Sequence, residues 1–151
     1  MPRTLNIFLS YAHEDEAMKV QLDRNLIMLK RSDKVNVWQD REIMAGMEWD
    51  DAIAKELAAA DIILLLISVD FNNSQYIWDK ELKIAMERHK KNEARVIPVI
   101  LRTCEWNEMP YAKLQALPTG AKPITSFVNA DEAYTDVARG IRIVVDYMQS
   151  K

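Results

Sequence analysis

The run DIILLLISVDFNNSQYIWDKELKIAMERH, residues 61–89, decides the fold. The six consecutive Ile and Leu residues at 62–67 form the unbroken apolar run of a strand covered on both faces of a parallel sheet. Phe71, Asn72, Asn73 and Ser74 interrupt it as a polar loop, and Ser74 stands where an N-cap starts the next helix. On a wheel turning about 100° per residue, Ile77, Trp78, Ile84 and Ala85 fall within roughly 60° of Glu81, while Asp79, Lys83 and Glu87 point elsewhere. A carboxylate centred on an apolar stripe is expected to be paired or used. The plain alternative is a rim carboxylate paired with Lys80 or Arg88. A polar loop at the strand's C-terminal end favours use, because ligands of open α/β sheets bind at that edge.

Upstream of this run, residues 5–9 read as a first strand ending in Ser10-Tyr11. A helix follows to about residue 30, with Met18, Leu22, Leu26 and Leu29 on one face. Its first turn carries Glu14 and Asp15, where the helix dipole favours acids. Residues 34–38 form a second strand, 39–47 a loop and 49–59 a second helix. Trp38 and Trp49 adjoin element ends, where an aromatic is expected to bury against the sheet. Downstream, residues 95–101 form a fourth strand whose Pro98 marks an amide that need not pair. Residues 103–119 are irregular, 123–127 read as a weak fifth strand, and 131–148 as a closing helix. Strands alternating with helices predict an α/β, doubly wound domain around a five-stranded parallel sheet flanked by helices.

With 151 residues the chain suits one domain burying roughly 68–70% of its unfolded surface. The closing helix runs almost to Lys151, as expected of a domain excised from a longer multidomain chain. A net charge of −3 gives no electrostatic case for nucleic acid or an anionic membrane. No apolar run reaches membrane-span length, and residues 5–9 are too short for a signal peptide. Cys104 is the single cysteine, so a reducing, cytoplasmic location is expected. His13 and His89 have no Cys or His at ligand spacing, and no metal is expected. The 3 glycines supply neither G-x-G-x-x-G nor a P-loop, and Ser10 is not in a G-x-S-x-G elbow. A response-regulator receiver shares the architecture, with Asp70 and Thr103 as its nearest equivalents. However, the first strand ends in Ser10-Tyr11 rather than an acidic pair, and Lys122 precedes the fifth strand.

Taken in order, FLSYAHED (8–15), WQDREIMAGMEW (38–49), SQYIWDKEL (74–82) and ARVIPVIL (94–101) resemble a prokaryotic TIR (Toll/interleukin receptor) domain over nearly the whole chain. The resemblance implies a single TIR domain over residues 1–151, flavodoxin-like, with strand order 2-1-3-4-5. Residues 40–47 would then be the BB loop that mediates TIR–TIR contacts, with Ile43, Met44 and Met47 serving self-association into a homo-oligomer or filament. Enzymatic members cleave the nicotinamide–ribose bond of NAD⁺ with a glutamate on the helix after the third strand, the position of Glu81. On this reading NAD⁺ is the substrate, no further cofactor is needed, and the product is ADP-ribose or a cyclic form, in prokaryotic anti-phage defence or signalling. Phe71, Tyr76 or Trp78 would stack on nicotinamide, and Ser10, Tyr11, Asp40 and Arg41 would bind ribose or phosphate. The alternative within the family is a non-catalytic TIR–TIR scaffold. The chain departs from the family pattern at Asn6, where Asp is common, and in having no Cys after Trp78. The Pro before Gly46 and the late Phe-Trp motif are also absent.

Overall fold

The computed structural model describes residues 3–38 and 49–151. Four parallel strands, β1 (Leu5–Ser10), β2 (Val35–Trp38), β3 (Ile62–Ile67) and β4 (Arg95–Ile100), lie in the order β2-β1-β3-β4. In register, Ser10 of β1 stands beside Leu65 of β3, and Ile67 beside Ile100 of β4. The helices are α1 (Glu16–Asn25), α2 (Ile27–Arg31), α3 (Trp49–Ala59), α4 (Val69–Asn73), α5 (Lys83–Lys90) and α6 (Ala130–Gln149). Every residue of β3 is buried, as its unbroken apolar run requires. Strand alternation divides the core. Ile62, Leu64 and Leu66 pack with Leu22 of α1 and Val137 and Ile141 of α6; Ile63, Leu65 and Ile67 pack with Leu57 of α3 and Ala85 of α5. This is the doubly wound, flavodoxin-like α/β fold.

Three elements of the fold differ from the sequence reading. The first helix is broken: a 3₁₀ turn over His13–Asp15 leads into α1, and Leu26 separates α1 from α2. The stretch after β3 is not a loop but the single turn α4, capped by the Ser68 hydroxyl accepting from the Phe71 N–H at 3.1 Å. Ser74 does cap the next helix, accepting from the Ile77 N–H at 3.2 Å.

The fifth strand does not form among the described residues. Residues 124–126 make a 3₁₀ turn instead, and one residue, Leu117, takes the place beside β4. Its N–H donates to the Pro98 carbonyl and its own carbonyl accepts from the Ile100 N–H. Pro118 and Pro123 flank the intervening segment and carry no amide hydrogen, so the ladder cannot lengthen through them. Ile124 is buried all the same. Among the described residues no helix is long and apolar enough to cross a membrane.

Candidate functional site

Parallel strands deliver their C-terminal ends to one edge of the sheet, and a cleft of about 660 Å³ opens there between α1, α3 and the helix after Ser74. That is a ligand-sized volume. Phe8, Leu9, Ala12, Ile53 and Ile77 supply its apolar surface. Tyr11, His13, Glu14, Glu16, Asp70, Tyr76 and Glu81 bring polar groups. Among the described lining residues four are acidic and none is Lys or Arg.

Glu81 is only 7% exposed. It sits in a wide π-helical turn, Ile77–Leu82, that opens the helix continued by α5. In such a turn residues five apart stack, so Leu82 comes under Ile77 and Trp78 swings outward. Ile77, Glu81, Leu82 and Ala85 are the buried residues here, while Trp78 is exposed. Ser10 supplies the base of the site. Even positions of β1 face the same layer as Phe8, so the Ser10 side chain projects toward this helix. Its Oγ donates to Glu81 Oε1 at 2.6 Å.

Tyr11 and Tyr76 both line the cleft. The Lys19 ammonium lies 5.1 Å from the centre of the Tyr11 ring. The Tyr76 hydroxyl donates to Asp50 of α3 at 3.1 Å, spanning the two helices.

Beside the cleft lies a second buried polar group. Ser68 donates to Asp15 in a very short hydrogen bond. Arg102, just past β4, donates through Nη2 to Asp15 Oδ1 at 2.7 Å and to Asp70 Oδ2 at 2.5 Å. The hydrogen bond to Asp70, with both carboxylate charges, raises the guanidinium's already high pKa. This bridge ties the ends of β1, β3 and β4 together and fixes Asp70 in the cleft wall.

Of the residues expected to bind substrate, Tyr11, Tyr76 and Glu81 line the cleft, with Ser10 beneath Glu81. Two are elsewhere. Phe71 is fully buried and edge-on to Tyr111 at 6.1 Å. Trp78 lies outside the cleft lining and donates its indole N–H to the Asn72 carbonyl at 2.8 Å. Asp40, Arg41, Ile43, Met44 and Met47 lie outside the described residues. The sequence reading missed Asp15, Ser68 and Arg102, and it weighed Asp70 only for a receiver. A signal was present: Ser10, Ser68 and Arg102 are polar residues at or just past a strand's C-terminal end, on the edge where sites form.

A family model described as the TIR domain matches residues 7–136. The chain is similar to the uncharacterized protein y4lF of Sinorhizobium fredii, at 47% identity over 137 residues. The match covers 91% of this chain and 42% of that protein's length. Among solved structures, the TIR domain of the Toll-related receptor TRR-2 of Hydra magnipapillata superposes with a TM-score of 0.64 at 20% identity. It covers 92% of this chain and 99% of that one, a likeness of fold.

Proposed function

The chain belongs to the TIR domain family, and on that premise we propose that it cleaves the nicotinamide–ribose bond of NAD⁺ with Glu81 as the catalytic carboxylate. The observation that carries this reading is a glutamate 7% exposed yet lining a ligand-sized cleft, its Oε1 held by Ser10. Structural carboxylates are rarely aimed into a cavity at the one sheet edge where ligands bind.

The C1′–N1 bond breaks with its electron pair leaving on the pyridinium nitrogen, which becomes neutral nicotinamide, so no general acid is required. What needs stabilising is the positive charge left on the ribosyl carbon. A preorganised carboxylate does this, as in glycoside hydrolysis. Water then adds to C1′ and sheds a proton to give ADP-ribose; an adenine nitrogen or ribose hydroxyl attacking instead gives a cyclic product. Tyr76, one of the three aromatics expected to stack, and Tyr11, expected at ribose or phosphate, would provide ring faces for the nicotinamide or the adenine. The acidic walls suit a cationic pyridinium and oppose a diphosphate. We therefore assign the diphosphate to a positive group outside the described lining, with Arg41 the candidate the sequence offers and a second copy of the domain the other source.

Incubation with NAD⁺ should release nicotinamide, and Glu81→Gln should abolish that release, by at least about a hundredfold, while leaving the fold intact. Near wild-type turnover in folded Glu81→Gln protein overturns the assignment. Silence of the wild-type protein at every concentration favours a scaffold that only joins TIR domains.

A further inference from the structure

We propose that Ser10 is a positioning residue of this site: its hydroxyl holds the Glu81 carboxylate in one orientation, without itself touching substrate. The proposal rests on the reading of Glu81 as the carboxylate that faces the ribosyl cation.

Two facts separate Ser10 from the ribose- or phosphate-binding role that the sequence suggested. It is 1% exposed, and it is not among the residues that line the cleft. A hydroxyl so placed cannot reach a ligand unless the sheet edge opens. What it does reach is Glu81 Oε1, at 2.6 Å, a distance typical of a charge-assisted O–H···O⁻ bond. The donor comes from the sheet and the acceptor from a helix 71 residues further along the chain. The bond therefore fixes the wide helical turn to β1 at the point where its carboxylate enters the cleft.

A neighbouring pair shows the contrast. Ser68 donates to Asp15 in the same way, but Arg102 also bonds Asp15, and Asp15 does not line the cleft. That pair closes a structural bridge. In the Ser10–Glu81 pair the acceptor itself lines the cleft. A hydrogen bond donated to the charged form favours ionisation, while the carboxylates of Glu14, Glu16 and Asp70, which share the cleft lining with His13, oppose it; removing the Ser10 donor is therefore expected to move Glu81 ionisation to higher pH. The bond also removes the need to reorient the carboxylate as cation charge develops.

The test compares wild type, Ser10→Ala and Ser10→Cys. One arm follows the Glu81 carboxyl by ¹³C NMR titration, its signal assigned by loss in Glu81→Gln. The other arm records kcat and KM for NAD⁺ against pH. In Ser10→Ala the Glu81 titration should move to higher pH, and the acidic limb of kcat should move with it. At neutral pH kcat should fall about tenfold, less than for a donor that contacts the reacting atoms, and KM should stay within about twofold. Ser10→Cys, of similar size but with a weak donor, should fall between the two. An unmoved Glu81 titration in Ser10→Ala overturns the proposal, whether or not NAD⁺ is cleaved. A raised KM with unchanged kcat also overturns it, by making Ser10 a substrate contact. If the wild-type protein releases no nicotinamide, the proposed function fails while the titration still decides the role of Ser10.

Discussion

A carboxylate shut away from water persists only where its charge is answered, and Asp15 is answered twice. With 2% of its side chain exposed, it accepts from Ser68 and pairs with Arg102. Arg102→Met should leave that charge without its cation. The cost is expected near 2–3 kcal/mol, below the full figure for a buried pair because 39% of the Arg102 side chain meets solvent. Urea denaturation measures it, and adding Asp15→Asn should recover most of the loss; additive losses in the double variant speak against a coupled pair. The pair was not legible in the sequence. Asp15 reads as one of several acids in a first helical turn, and its partner stands 87 residues away. The burial of Glu81 was legible, because a charge among Ile77, Ile84 and Ala85 breaks a local pattern that a helical wheel displays. Trp38 was legible as structural for a similar local reason. At a strand end it stacks on Phe8, ring centres 5.6 Å apart and planes within 7°.

Elements written in one contiguous apolar run, such as β3, were readable almost to the residue. Those decided by backbone hydrogen bonds to distant partners were not. Residues 123–127 are apolar enough for a strand, yet Leu117 holds the edge of β4 and Ile124 buries from a turn. The wide turn at Ile77–Leu82 also escaped, since periodicity assumes uniform α geometry. Its consequence is that Trp78 faces outward although the wheel placed it beside Glu81. The helix that carries Glu81 is tethered at its far end by His89, whose Nδ1 accepts from the Val96 N–H of β4 at 3.1 Å. Burial, aided by the charges of Arg95 and Lys113, lowers the His89 pKa. A group whose pKa is lower folded than unfolded stabilises the protein above its unfolded value, about 6.5, and that contribution is lost as pH falls through the folded value. Stability should therefore decline below about pH 6.5, and His89→Gln should flatten that decline. An equally steep fall in the His89→Gln protein would assign the acid sensitivity to other groups.

At the scale of the whole molecule, the topology gathers the described polar groups of the cleft on one edge of the sheet. The described walls of the cleft carry Glu14, Glu16, Asp70 and Glu81 without a lysine or arginine among them. NAD⁺ carries a diphosphate, so the described lining offers one half of the charge complement the proposed substrate needs. In the sequence, Ile43, Met44 and Met47 fall between β2 and α3, where a loop of polar residues is the norm. Met is a side chain suited to adaptable contact surfaces. On the proposed function, a second copy docked through this segment is expected to exclude water from the site and thereby strengthen the Glu81 charge. A contact between two different surfaces is heterologous and extends into a filament unless it closes. Specific activity should therefore rise with protein concentration, in step with the assembled fraction seen by light scattering. Ile43→Asp and Met44→Asp should suppress both while leaving the thermal transition of the isolated domain in place. Specific activity that stays flat from nanomolar to high micromolar protein, or aspartate variants that assemble and turn over normally, would show that one copy completes the site by itself, with Arg41 then the group to test for the diphosphate.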